Sequence, residues 1–162
     1  DGLLNYALCE MLVGNIRKTR LLIEEAITED VETMNPILVM LLGAARLIEG
    51  DQDQGNALFK ELSEKNQLPT VYLLSLLEHL FNSGQYEYFR RLVDPVLAGG
   101  IMNPETLRFH MAPILNKTAR CLQSEKKEQP AMQIVNLAIE STLDDEETRS
   151  IRDSLILCDY TA

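Results

Sequence analysis

Few residues in this chain are of types and spacings that could do chemistry. His79 and His110 are its only histidines. His79 follows Glu78 directly, and adjacent residues on a helix point apart, so neither a Glu-His dyad nor a His-x-x-x-His metal pair forms locally. Cys9, Cys121 and Cys158 are odd in number, far apart and in no Cys-x-x-Cys pair, which argues against a disulfide framework and structural zinc and for a reducing compartment. Cys121 stands beside Arg120, whose charge would favour a thiolate if the pair were exposed, but the residue is read instead as a small buried core residue. Ser124-Glu125-Lys126-Lys127 has Ser-x-x-Lys spacing without the other elements of that active site. Gly99-Gly100 lacks the Lys-Ser or Lys-Thr of a phosphate loop. Asn116-Lys117-Thr118 is formally a glycosylation sequon, but it falls within a predicted helix. The acidic clusters Glu29-Asp30-Val31-Glu32 and Asp144 to Glu147 lack the alternation and Gly of a calcium loop, and read as a solvated connection and a helix start. These residues point to no enzyme, no metal and no cofactor.

The elements that would position any site are those of a soluble fold. The chain has 162 residues, 46% hydrophobic and 25% charged, enough for one domain or a short repeat array. A formal net charge of -10 and a pI near 4.6 argue against a general phosphate-binding surface. No apolar run approaches the roughly 20 residues that cross a bilayer. Asp1-Gly2-Leu3-Leu4 has neither a Met nor the basic start of a signal peptide, so the chain is expected to be a fragment of a longer intracellular protein, cytoplasmic or nuclear.

The chain also repeats itself. Gly14, Gly50 and Gly84 each end an apolar stretch at intervals of 36 and 34 residues. Each is followed by a polar bridge and a second amphipathic stretch: 16–26, 52–62 and 86–97. Asn35-Pro36, Leu68-Pro69 and Asn103-Pro104 precede the next apolar run, with Pro suited to a helix's first turn and Asn to its cap. A fourth copy emerges through Thr19, Gly55, Phe89 and Ala131, at intervals of 36, 34 and 42. The extra eight residues fall in 99–111 and lengthen the first helix of that copy by about two turns, with Pro113 inside it. Asp144-Asp145-Glu146-Glu147 places negative charge at the start of a final helix that ends near Tyr160, with Ile151, Leu155 and Ile156 on its apolar face. Nine helices and no strands are expected.

This helix-turn-helix unit, with its placement of small residues, resembles the tetratricopeptide repeat over residues 3 to 141. The quoted positions are Leu3, Ala7, Gly14, Thr19, Ile23 and Ala26 in the first copy. They are Val39, Gly43, Gly50, Gly55, Phe59 and Leu62 in the second, and Leu73, Leu77, Gly84, Phe89, Val93 and Val96 in the third. In the fourth they are Leu115, Ala119, Lys126, Ala131, Val135 and Ala138, with Lys126 where the family has Gly. The resemblance implies an all-α fold: a right-handed superhelix, or α-solenoid, of antiparallel helix pairs. The repeats are drawn at 1–34, 35–68, 69–102 and 103–142, in a single domain closed by a capping helix at 143–160. A pentatricopeptide array has a similar period but reads RNA and is expected to be basic.

What the resemblance further implies is a partner-binding concave face made by the first helix of each pair. On this chain that face carries Leu4, Leu8 and Met11; Met40, Ala44 and Leu47; Leu74, Glu78 and Phe81; and Asn116, Arg120 and Gln123. Family members that clamp an acidic peptide C-terminus use Lys and Asn where this chain has Leu4, Leu8, Leu41, Val71 and Ser75, which excludes that function. A basic stretch of Arg108, Lys117, Arg120, Lys126 and Lys127 contains one acid, Glu125, over residues 106 to 127. It reads either as a solvated face or as a contact for an acidic segment. The expected function is a non-enzymatic scaffold or adaptor holding an amphipathic helix or extended peptide. The alternatives are a self-associating element, giving a homo-oligomer, and, less favoured by the charge, a nucleic-acid-binding repeat; no membrane partner is expected.

Overall fold

The computed structural model describes residues 2–27, 34–141 and 143–161, with side chains to residue 157, so the acidic cluster Glu29–Glu32 lies outside the described residues. Among the described residues there are nine helices and no strand. They are α1 (Gly2–Leu12), α2 (Ile16–Ala26), α3 (Pro36–Glu49), α4 (Gln52–Glu64), α5 (Thr70–Asn82), α6 (Tyr86–Ala98), α7 (Pro104–Ser124), α8 (Glu128–Glu140) and α9 (Glu146–Thr161). None of them is long and apolar enough to cross a membrane.

Four hairpins share one turn. Gly14, Gly50 and Gly84 have φ of 90°, 97° and 77°, and Lys126 takes the same left-handed conformation at 62°. In each case the amide of that residue bonds the carbonyl three back and the next amide bonds the carbonyl five back. The pairs are Gly14 to Met11 with Asn15 to Glu10, Gly50 to Leu47 with Asp51 to Arg46, Gly84 to Phe81 with Gln85 to Leu80, and Lys126 to Gln123 with Lys127 to Leu122. That is the Schellman closure of a helix C-terminus, which satisfies carbonyls the helix cannot. The amides of Thr19, Gly55, Phe89 and Ala131 then bond Asn15, Asp51, Gln85 and Lys127, so each second helix starts in the same register. Asn35 and Asn103 accept from the amides of Ile37 and Glu105 and cap the Pro-started helices α3 and α7, as their sequence context predicts.

The chain divides into two compact units, Asp1–Ile101 and Met102–Ala162, one residue from the repeat boundary drawn at 102/103. In the first unit α3 is the central helix, packing on α1, α2, α4 and α6. It is apolar on every side and ten of its 14 residues are buried, because a helix without a polar face has no side to give to water. The α3–α4 approach is set by two glycines. A Cβ on Gly55 would lie 2.6 Å from Leu47 Cγ, and one on Gly43 would lie 3.1 Å from the Phe59 ring. The third hairpin does not simply extend the first two. Its second helix, α6, packs on α3 and α4, while α5 lies against α1. In a linear stack each repeat touches only its neighbours, and here the third reaches the first.

The second unit is a three-helix assembly in which α7, α8 and α9 each contact the other two. The buried faces include Leu107, Met111, Leu115, Ala119, Ile134, Val135, Ile151 and Leu155. Ile156, expected on the apolar face of the last helix, is exposed together with Leu157.

Candidate docking surfaces

The twelve residues expected to line a groove separate into three groups. Met11, Met40, Ala44, Leu47, Phe81 and Asn116 are buried and cannot touch a partner. This corrects the groove drawn from the repeat. The three α3 positions are core because α3 has neighbours all round. Phe81 is held by rings, with Tyr86 and Phe89 centroids at 5.3 and 6.2 Å. Leu4, Leu8, Leu74, Glu78 and Gln123 are half-buried, and Arg120 is exposed. Gln123 donates to Ser154 Oγ at 2.9 Å and so faces α9.

The half-buried members Leu4, Leu8, Leu74 and Glu78 lie on α1 and α5, which pack against each other. His79 Nε2 donates to the Leu12 carbonyl at 2.7 Å, so one of α1's last, intrahelically unpaired carbonyls is capped by a side chain from α5. Gly14 backs onto Gln85, where an added Cβ would come within 2.9 Å of Nε2. The helices are therefore tied at their C-terminal ends. Of the ten large hydrophobics exposed among the described residues, five belong to this pair: Tyr6, Leu12 and Val13 with α1, and Val71 and Tyr72 with α5. Tyr6 lies under the Lys18 ammonium, 5.3 Å from ring centroid to Nζ, and Lys18 pairs with Glu10 at 3.2 Å. Tyr6 and then Glu10 hold the Lys18 ammonium above its ordinary range. Asn15, followed by Lys18, holds the Glu10 carboxyl below its own.

The basic stretch is partly answered by acids, one inside it and others at the start of α9. Arg120 pairs with Glu147 at 3.3 Å, Lys127 with Glu125 at 3.2 Å, and the Arg108 charge acts on Asp145. It is therefore not a continuous cationic patch, because the start of α9 supplies counter-charges about 27 residues downstream. Lys117 and Lys126 are exposed.

At its centre lies a polar cluster that the sequence pattern did not single out as a unit. Thr148 Oγ1 is 2.6 Å from Asp145 Oδ1 and 2.9 Å from Asn116 Oδ1, so its one proton serves one oxygen at a time. The Thr148 amide bonds Asp145 Oδ1 at 2.7 Å, which makes Asp145 the N-cap of α9. Burial works to raise the Asp145 pKa, but the Thr148 hydroxyl and amide and Asn116 outweigh it, and the carboxyl sits below its ordinary value. The run Asp-x-x-Thr was the available signal, a cap with its N3 partner.

Groups with chemical potential stay dispersed. No group of three or more His, Cys, Asp and Glu side chains that could hold a metal occurs among the described residues. Cys9 and Cys121 are both exposed, which corrects the reading of Cys121 as core; the Cys158 side chain lies outside the described residues. A surface cleft of about 550 Å³ between the α3–α4 turn and α6 contains Arg90 and Arg91. Arg91 is held by Glu87 at 3.1 Å and the Ile48 carbonyl at 2.9 Å, and Arg90 by Asp94 at 3.3 Å, so these cations are neutralised within the protein. No family model, curated protein or solved structure matches the chain.

Proposed function

We propose that the chain is a degenerate tetratricopeptide-like helical-repeat module that works without catalysis, by holding a segment of another protein on the α1–α5 face. Support for the repeat comes from the four equivalent turns and from burial of the repeat's signature positions, apart from half-buried Leu3, exposed Ala26 and the turn residues. An extended right-handed superhelix is not favoured within the first unit, since α5 reaches α1.

The observation that carries the docking reading is the distribution of exposed apolar side chains. Val71, at the start of α5, is 74% exposed and Val13, in the turn that follows α1, is 68% exposed; α1 and α5 pack against each other, while α3 is buried. Clustered apolar exposure marks contact sites more reliably than singly scattered residues do. Leu4, Leu8 and Leu74 add half-buried surface to the same helices.

The test is quantitative affinity capture from the chain's own cells with the unaltered protein and with Val71→Asp, followed by titration of the captured protein. Capture that weakens about tenfold or more in the variant, at an unchanged thermal midpoint, supports the reading. Equal capture discards this face. Light scattering that shows a concentration-dependent mass, abolished by Val71→Asp, would assign the face to self-association instead.

A further inference from the structure

In the second unit Phe109 is 87% exposed, the highest value among the exposed large hydrophobics of the described residues. It lies on α7, and the residues one and two turns further on, Pro113 and Lys117, are exposed too. Spacing of four residues keeps all three on one side of a helix. Neither apolar residue serves the fold in an obvious way. Phe109 buries almost nothing, and Pro113 inside a helix lacks the amide that would bond the Phe109 carbonyl.

The charges on this face are unbalanced. Lys117 has Pro113, Ile114, Arg120 and Cys121 as its neighbours three and four positions away, none of them acidic. Lys117 and Arg120 are both exposed and three apart, so they repel each other on the helix surface. Arg120 has Glu147 at 3.3 Å, and no ion pair of 4.0 Å or less joins Lys117 to an acid of the described residues. Carboxylates from outside would relieve that repulsion. The net charge of -10 opposes an acidic partner at long range, so recognition has to be local, within the roughly 8 Å over which charge acts at physiological salt.

We propose that this face of α7 docks an acidic amphipathic helix from another protein, its apolar anchor over Phe109 and Pro113 and its carboxylates over Lys117 and Arg120. Eight residues of helix separate Phe109 from Lys117, so anchor and carboxylate are about 12 Å apart, two turns of the incoming helix. This face belongs to the second unit and the α1–α5 face to the first, and the proposal does not rest on the one made for α1–α5.

The experiment uses the whole chain and a labelled, designed helical peptide with a Leu and Trp anchor and two Glu residues two turns further on. Two companions are the peptide of reversed sequence and the peptide with Gln for both Glu. Anisotropy titration should show saturable binding of one acidic peptide. Phe109→Ala and Lys117→Glu should each weaken it about tenfold or more, the Gln peptide should bind at least fivefold more weakly, and Val71→Asp should have no effect. Both substitutions are at exposed positions, so thermal midpoints should be unchanged. The proposal is overturned if neither acidic peptide binds, if the Gln peptide binds equally, or if folded Phe109→Ala binds as before. A concentration-dependent mass of the chain that Phe109→Ala abolishes would overturn it in favour of a second copy. Single-stranded RNA binding that Lys117→Glu abolishes, with no peptide binding, would overturn it in favour of a phosphate site. An unchanged titration with Val71→Asp shows that the peptide does not sit on the α1–α5 face, whose own test is the capture experiment, so either proposal can fail alone.

Discussion

Lys126 occupies a backbone conformation that glycine adopts freely and lysine does not. Its φ of 62° matches the turn glycines, and its two closing hydrogen bonds match theirs. A residue with a Cβ in that region carries a cost of about 1 kcal/mol or more, set against the greater freedom glycine has when unfolded. We expect Lys126→Gly to stabilise the protein by up to about 1 kcal/mol, and Gly50→Ala, where φ is 97°, to destabilise it by at least about 1 kcal/mol. Denaturant titration of both variants measures the pair; a destabilising Lys126→Gly would show that the lysine side chain, and not the turn, matters there. The Asp145 cap supplies a pH prediction. Its carboxyl is depressed in the folded state below its ordinary value of 3.8, so its contribution is complete above that value and is lost as the pH falls through the lower folded value. Thr148→Val removes the hydroxyl that holds the carboxylate and should cost about 1–3 kcal/mol at neutral pH. The deficit against the unaltered protein should shrink in acid below about pH 4. A deficit constant down to pH 2 would detach the hydroxyl from the carboxylate.

At the level of elements, the helices and their turns were readable because the signals are local. The positions of Gly14, Gly50, Gly84, Asn35-Pro36 and Asn103-Pro104 are turn and cap chemistry, which needs no knowledge of tertiary contacts. The burial of α3 was also written in its composition, PILVMLLGAARLIE, where only Arg46 and Glu49 are charged. Placing Met40, Ala44 and Leu47 on a groove followed the family register instead of that composition. Helix α1 shows why composition alone is not enough. It too is apolar nearly all round, yet only Ala7 and Met11 are buried. The close approach of α3 and α4 can be tested at Gly55. In an open helix Gly→Ala gains about 1 kcal/mol of propensity. Here the new Cβ would meet Leu47 Cγ at 2.6 Å and Gly43 O at 3.1 Å, so Gly55→Ala should instead lose about 1–3 kcal/mol by thermal unfolding. A stabilised variant would mean that α4 can shift away from α3 at little cost.

At the scale of the whole molecule, what the repeat did not disclose is which pair packs on which. Period and turn geometry act within a hairpin, whereas α6 on α3 and α5 on α1 are contacts between residues more than 40 positions apart. The candidate site was lost for the same reason, since the arrangement of the third hairpin decides which first-helix side chains remain at the surface. A perturbation of α1 separates this arrangement from a linear stack. Met11 is fully buried, and Met11→Ala should destabilise the protein by about 2–5 kcal/mol through lost burial and the cavity left behind. In a linear stack, destabilising the first pair would leave the third protected by the second. In this first unit α5 leans on α1 and its His79 caps the end of α1, so amide hydrogen exchange should quicken over Leu73–Leu80 together with α1. The α7–α8 amides of the second unit serve as the internal reference. Faster exchange confined to α1 and α2, with Leu73–Leu80 unchanged, would contradict the α1–α5 contact and restore the linear stack.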